Sequence, residues 1–144
     1  MFSTARSTFY LEAPSLERLF ISSALKLVDD AVGLKHVSPL DRHTLAVKSD
    51  SIESLLLIWL NEVIQLFNST QFLPRQIYFN GFDGKVINAI LMGEKHDPIR
   101  HGHLEKMPLF RTDQIRFRGW IEGDNSFSLQ LDKETPSPLS IQAV

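Results

Sequence analysis

Residues 51–67 are the segment that most constrains the fold, because they are apolar around most of a helical circumference. A wide stripe recurs at three- and four-residue spacing and consists of Ile52, Leu55, Leu56, Trp59, Val63, Leu66 and Phe67. The stripe is widened by Leu57, Ile58 and Ile64, and the narrow polar line that remains consists of Ser54, Asn61 and Gln65. A helix this apolar is buried on more than one side. We therefore predict a central core helix here, with Asp50 and Glu53 forming a capping-box-like start.

A second helix is predicted over residues 15–32. Ser15 is its candidate N-cap, Gly33 follows its end, and its apolar residues recur at helical spacing. Around the two helices, apolar residues alternate with period two, which is typical of strands. Turn residues at 80–84 and 122–125 divide the last four predicted strands into hairpins. The order strand, helix, strand, helix and four strands predicts an α+β fold, with two helices packed on one face of a largely antiparallel β-sheet.

Length and composition fit one domain. The chain has 144 residues, of which 43% are hydrophobic, and this is enough for a single packed core. We predict one domain over residues 1–133. Residues 134–144 are predicted to form a flexible or loosely docked tail, because residues 133–138 have the composition of disordered segments.

Charge, cysteine content and hydropathy exclude several classes of protein. Fifteen Lys and Arg against seventeen Asp and Glu give a net charge of −2, which argues against tight autonomous binding of nucleic acid. The absence of cysteine excludes disulfides, thiolate nucleophiles and cysteine-held metals. The longest apolar run, residues 55–60, is far shorter than the ~20 residues that span a bilayer, and we expect no secretory signal in residues 1–20. We expect a cytoplasmic protein without membrane association.

The loop at residues 93–103 is the most unusual stretch for chemistry. It holds His96, His101 and His103 together with Asp97. Imidazole and carboxylate groups suit metal binding or proton transfer, so a small hydrolase or transferase is one hypothesis. The five-residue spacing of His96 and His101 is not a specific ligand pattern, and no nucleophile or phosphate-binding motif accompanies it. We favour a solvated loop between strands.

Two polar residues of the core helix, Asn61 and Glu62, are candidates for structural or functional roles. Glu62 borders the apolar face, where a carboxylate requires a partner. It could serve as a metal ligand or an acid, and we favour a structural ion pair with an Arg or a bond to a strand amide. We expect Asn61 to bond backbone at a helix–sheet junction.

Two later strands carry further candidates. By alternation, Trp120 shares a face with Arg116 and Arg118. These three residues could form a cation–π stripe or a sparse nucleic-acid-binding patch. We favour the interpretation that they lie on an exposed face of the sheet. Asp132 is predicted to close the last strand as a solvent-exposed acid.

Three blocks of sequence, in the right order, resemble the archease family. Residues 50–64 contain the run Trp-Leu-Asn-Glu and resemble the family's second helix. Residues 14–20 are similar to its Ser-Leu-Glu-Glu-Leu-Phe entry to the first helix, and residues 93–101 resemble its Gly-Glu, Asp-Pro and basic-His loop. The resemblance covers about residues 3–132.

What the resemblance implies is a small accessory protein, not itself an enzyme, that binds and activates an RNA-splicing (tRNA) ligase. Family members promote the guanylylation and turnover of the ligase and meet RNA only through it. The resemblance also implies a metal site, built from the Asp of an N-terminal His-Thr-Ala-Asp motif and an Asp that ends the last strand. Such carboxylates suit Ca²⁺ or Mn²⁺. The alternative is a non-catalytic interaction or scaffold module that keeps the fold and has lost the metal-dependent role.

This chain departs from the family pattern at the metal site. Its Asp132 matches the C-terminal acid, but the N-terminal acid falls on Arg6. The family's strand lysine falls on Pro108, with Lys106 as the nearest substitute. Because a guanidinium supplies no metal-binding oxygen and repels a cation, we expect a weak or absent divalent cation and an Arg6–Asp132 ion pair. The predicted partner-binding residues are Arg6, Asp97, His101, Lys106 and Asp132.

Overall fold

A computed structural model describes the backbone of residues 4–136 and the side chains of residues 7–133. The strands are β1 (Thr4–Ala13), β2 (Asp41–Lys48), β3 (Phe72–Phe82), β4 (Val86–Lys95), β5 (Ile115–Ile121) and β6 (Ser126–Pro136). The helices are α1 (Leu16–Val32), α2 (Ile52–Thr70) and the one-turn α3 (Pro98–His101). Neither α1, α2 nor α3 is long and apolar enough to cross a membrane.

The strands form two three-stranded antiparallel sheets instead of the single sheet predicted. One sheet has the order β1-β6-β5 and the other has the order β2-β4-β3. Both predicted hairpins are present, as β3 with β4 and β5 with β6, while β6 also pairs with β1 from the other end of the chain. The α+β class and the antiparallel pairing are confirmed. The prediction of one sheet was wrong because alternation identifies the faces of a strand but not its partner.

Helix α2 is the central core helix, as predicted. Trp59 is fully buried, with 0% of its surface exposed, and its indole Nε1 donates to the backbone oxygen of Phe20 in α1 at 2.9 Å. The edge of its ring meets Phe79 of β3, with 5.1 Å between the centroids. Both long helices and strands of both sheets contribute to one cluster of buried side chains, so a single core joins the two sheets.

The ends of α2 differ slightly from the prediction. Its N-cap is Ser51, whose Oγ accepts from the Ser54 N–H at 3.2 Å, so Asp50 does not cap the helix. The helix continues to Thr70, and Gln71 ends it in a left-handed conformation with φ of 63°.

Strand β6 continues beyond its predicted end at Asp132. Thr8 lies opposite Asp132, and the pairing with β1 extends until Thr4 lies opposite Pro136. The predicted boundary after residue 133 therefore cuts through a strand, because β1 supplies hydrogen-bonding partners to residues whose composition favours disorder. The rest of the predicted tail, residues 137–144, lies outside the described residues.

Candidate functional site

Asp132 lies half-buried on the outer face of the sheet β1-β6-β5, because its neighbour Leu131 points into the core and strand side chains alternate. Its Oδ1 accepts from Thr8 Oγ1 at 3.0 Å and from Gln130 Nε2 at 3.2 Å. Its backbone oxygen accepts from Gln114 Nε2 at 3.1 Å. The carboxylate is therefore held in position by side chains of its own sheet.

The groups around Asp132 do not fit the divalent cation that the resemblance implies. Ca²⁺ and Mn²⁺ require several oxygen ligands, with carboxylates prominent among them. Thr8, which lies opposite Asp132, donates its hydroxyl proton to the carboxylate. No group of three or more His, Cys, Asp and Glu residues within the described residues could hold a metal ion. A cation here would need ligands that the described side chains do not supply.

Backbone pairing places Arg6 opposite Glu134, two residues along the ladder from the Thr8–Asp132 pair. Alternation puts these four positions on one face of the sheet. The side chain of Arg6 lies outside the described residues, so its ion pair with Asp132 stays a prediction.

A second polar cluster, centred on Glu94, lies at the end of β4. This carboxylate is buried, with 5% of the residue exposed; its Oε1 pairs with the Arg100 guanidinium, and its Oε2 accepts from the Ser38 N–H at 2.6 Å. Burial on its own would raise the pKa of Glu94, but the hydrogen bonds from Arg100 and Ser38 outweigh burial and lower the pKa below its ordinary value of 4.5. The charged carboxylate of Glu94 therefore connects α3, through Arg100, to the loop before β2, through Ser38.

Asp97 and His101, two of the predicted partner-binding residues, belong to this cluster. Asp97 caps α3, because its carboxylate accepts from the Ile99 N–H at 3.0 Å and from Arg100 Nε at 3.2 Å. The hydrogen bond from the Ile99 N–H is the main cause that lowers the pKa of Asp97. His101 is buried, its Nδ1 accepts from the Asp97 N–H at 2.9 Å, and its Nε2 lies 3.0 Å from the backbone oxygen of His36. The same Nε2 lies 3.4 Å from Glu94 Oε2, so the imidazole lies between the loop before β2, Asp97 and Glu94.

His96 is also engaged within this loop. Its Nε2 lies 2.7 Å from the backbone oxygen of Gly102, and its ring stacks on His101 with 5.8 Å between the centroids. His103 is exposed and lies 3.6 Å from Glu105. Because the two stacked imidazoles bond the backbone, the geometry favours a structural role for the loop over metal binding or proton transfer.

Lys106 is exposed on the loop before β5 and lines a cleft with Lys133. Lys133 follows Asp132 in β6, and alternation places their side chains on opposite faces of the strand. Its ammonium lies 3.0 Å from Asp30 Oδ2 of α1. The structure thus groups Asp97 with His101, and it associates Lys106 with Lys133 rather than with the outward-facing Asp132. Sequence analysis did not identify Glu94 or Lys133 as members of a site.

Asn61 forms hydrogen bonds with the backbone, as expected. Asn68, two turns later in α2, forms the same kind of hydrogen bonds. Asn61 Nδ2 donates to the Phe110 oxygen at 3.0 Å, and its Oδ1 accepts from the Phe110 N–H at 2.7 Å. Asn68 makes the same two bonds with Met107, each at 2.9 Å. The two amides fasten an irregular segment to α2. Sequence analysis did not identify Asn68, although its spacing of seven from Asn61 extends the polar line of the helix.

Among the residues that the structure describes, Glu62 has no partner of the kind predicted for it. It is half-buried, and it forms no hydrogen bond or ion pair in the part of the chain that the structure describes. Its structural role stays a prediction.

A bulge in β5 separates three residues that alternation placed on one face. The register shifts before Gly119, whose φ is 71°. Trp120 consequently lies opposite Phe127, with 5.0 Å between the ring centroids, and it is exposed, with 47% of its surface accessible. Arg116 and Arg118 remain on the outer face. The predicted shared face was wrong because one extra residue in a bulge reverses the alternation.

Solved structures define the class of fold. A crystal structure of an archease and possible chaperone from Thermotoga maritima superposes with a TM-score of 0.61 at 12% identity and covers 94% of both chains. The solution structure of a protein from Methanobacterium thermoautotrophicum superposes with a TM-score of 0.67 at 18% identity and covers 95% of this chain and 96% of that one. These likenesses show that the chain has the α+β fold of an archease.

Sequence comparison defines the family. The model of the archease protein family matches residues 3–107. Protein archease of Pyrobaculum islandicum is 30% identical over 108 residues, and that of Pyrobaculum neutrophilum is 29% identical over 108 residues; each alignment covers 71% of this chain and 74% of the relative. The chain belongs to the archease family. The family model ends before β5 and β6, so Asp132 lies outside the matched residues.

Proposed function

We propose that this chain is an accessory protein that binds an RNA-splicing (tRNA) ligase in the cytoplasm and activates it by promoting its guanylylation and turnover. Membership of the archease family supports an accessory role. The observation that supports the finer proposal is the position of Asp132, which Thr8 and Gln130 hold on the outer face of the sheet and which the resemblance places at the family's C-terminal acid. On this proposal the chain is not itself an enzyme and meets RNA only through the ligase, which suits its net charge of −2.

A carboxylate at this position can act on a partner without disturbing the domain. Asp132 pairs with Thr8 of β1, and on its other side its backbone oxygen accepts from Gln114 Nε2 at 3.1 Å, so its backbone is fixed on both sides. The bonds from Thr8 and Gln130 restrict rotation of its side chain. A preoriented charge at a protein–protein contact steers association and fixes the register of the partners. We infer that Asp132 faces the ligase, with Arg6 beside it in the ladder.

A scaffold that binds the ligase without activating it is the second candidate. The observation that favours it is the set of groups around Asp132, which does not fit a divalent cation. If activation depends on a bound cation, this chain binds the ligase and leaves the rate of guanylylation unchanged.

The test uses purified RNA-splicing ligase from the same organism. We expect a substoichiometric amount of this chain to increase ligase guanylylation, measured as label transferred from radioactive GTP, and to allow multiple turnovers of ligation. Binding without acceleration would support the scaffold. Absence of binding would contradict both candidates.

The variant Asp132→Asn tests the carboxylate itself. It should reduce activation while leaving the melting temperature nearly unchanged, because the amide oxygen of Asn can still accept from Thr8 and Gln130. Asp124→Asn, in the exposed turn between β5 and β6, is the matched control and should activate normally. Full activation by Asp132→Asn would remove Asp132 from the proposed contact.

A further inference from the structure

A cleft of about 240 Å³ opens between the end of α1, the loop before β5 and the inner side of β6. Its charged lining residues are Asp30, Glu105, Lys106 and Lys133, and its apolar wall includes Met107. The cleft is separate from the outward face of Asp132, because Lys133 occupies the next position in the strand and points the other way.

Lys133 is the unusual residue of this cleft, because lysine is rarely buried. Only 8% of the residue is exposed. One contact, at 3.0 Å to Asp30 Oδ2, satisfies one of its three N–H donors. The other two donors have no acceptor among the described residues. Because Lys133 lines the cleft, oxygen atoms of a ligand that enters the cleft can accept from the donors that Asp30 leaves available.

Lys106 adds a second positive charge to the rim of the cleft. It is exposed and forms no ion pair within residues 7–133. The nearby carboxylate of Glu105 lies 3.6 Å from His103, and Asp30 is already occupied by Lys133. The cleft therefore combines the buried ammonium of Lys133, which is paired with Asp30, with the exposed ammonium of Lys106 and the exposed carboxylate of Glu105.

We propose that this cleft binds a phosphate group. The oxygens of a phosphate can accept from Lys133 and Lys106 together, and lysine is a common phosphate ligand that acts as a point charge. A water molecule takes about 30 Å³ of liquid volume, so the cleft has room for more than the phosphate, and Met107 offers an apolar contact to an attached organic group. Inorganic phosphate and a phosphate monoester share the required chemistry. This site extends beyond the proposed function and does not depend on the ligase.

The test measures binding to the full chain by calorimetry at constant ionic strength, with inorganic phosphate and ribose 5-phosphate as separate probes. We expect saturable binding at one site, and tighter binding of ribose 5-phosphate if the attached sugar also contacts the wall of the cleft. Equal affinities would identify free phosphate as the ligand. Absence of saturable binding of either probe at millimolar concentrations would overturn the proposal.

Substitutions then assign the binding to this cleft. Lys106→Met should weaken binding by at least about fivefold, the loss expected for about 1 kcal/mol of interaction, because it removes one ammonium from an exposed position without affecting the core. Lys48→Met, at an exposed lysine of β2, is the matched control and should bind as the wild type does. An equal loss in both variants would show general electrostatic attraction and would overturn the proposal.

Asp30→Asn should act in the opposite direction. It removes the carboxylate that competes with phosphate for Lys133, so binding should tighten. If this variant is less stable, the rise in its melting temperature on adding phosphate should exceed that of the wild type, because a ligand of the folded state stabilises it in proportion to saturation. A smaller rise than in the wild type would contradict the assignment of Lys133.

Discussion

Replacing Asn61 by alanine removes two hydrogen bonds that fasten the segment before β5 to the core helix. The amide donates to the Phe110 oxygen at 3.0 Å and accepts from the Phe110 N–H at 2.7 Å. Alanine leaves both backbone groups of Phe110 without a partner beside a buried ring, since Phe110 has 7% of its surface exposed.

The expected loss follows from these two bonds. A typical intramolecular hydrogen bond contributes about 1 kcal/mol net, and an unsatisfied buried group costs about 1–3 kcal/mol. Asn61 is half-buried, so water can reach part of the vacated space. The loss of unfolding free energy therefore stays near the lower end of the range that these values give. We expect Asn61→Ala to reduce the free energy of unfolding by about 2 kcal/mol, which lowers the melting temperature by roughly 4–8 °C for a chain of this size.

Urea unfolding measures this loss, and two other residues of α2 provide the comparison. Gln65→Ala, at an exposed position, and Glu62→Ala, at a carboxylate without a described partner, should each cost less than about 1 kcal/mol. Asn68→Ala should resemble Asn61→Ala, because it loses the same pair of bonds to Met107. A loss for Asn61→Ala no greater than that for Gln65→Ala would refute the reasoning.

Three further predictions concern β4 and Asp132. Gly93→Ala should prevent folding or cost about 3 kcal/mol or more in a urea titration, because its Cβ would lie 1.9 Å from the Leu73 oxygen; near wild-type stability would contradict this. The lowered pKa of Glu94 means that its contribution to stability is present above the ordinary value of 4.5 and is lost as the pH falls through the folded value. Glu94→Gln should therefore flatten the decline in unfolding free energy below about pH 5, and an unchanged slope would be inconsistent with the cluster. Calorimetry with Ca²⁺ and Mn²⁺ should show no micromolar binding at Asp132, whereas heat that disappears in Asp132→Asn would show that the cation site is retained.

The sequence predicted the helices well because their burial follows from local pattern. An apolar circumference leaves α2 no place except the core, and Trp59 is indeed fully buried. The last turn of α2 was missed because its residues are polar. Ser69 Oγ donates to the Gln65 oxygen at 2.8 Å and Thr70 Oγ1 to the Leu66 oxygen at 2.6 Å, and such local bonds extend a helix without an apolar signal.

Long-range pairing explains most of what the sequence did not predict. The pairing of β1 with β6 joins strands that are far apart in the sequence. No short turn connects these strands, so the sequence carries no local signal that they pair. The same holds for Glu94, whose partners are Arg100 nearby and the distant Ser38 N–H. A carboxylate next to an Asp-Pro loop is usually exposed to solvent. The burial of Glu94 therefore follows from the fold and could not be predicted from its neighbours in the sequence.

Strand β6 places two kinds of chemistry on its two faces. Asp132 faces outward among hydroxyl and amide donors, while Lys133 faces inward to Asp30 and the cleft. At these two residues β6 pairs with β1, and the backbone oxygen of Asp132 also accepts from Gln114 Nε2, so a contact on one face has little freedom to rotate the strand. A partner protein at Asp132 and a phosphate at Lys133 can therefore bind without competing for the same space.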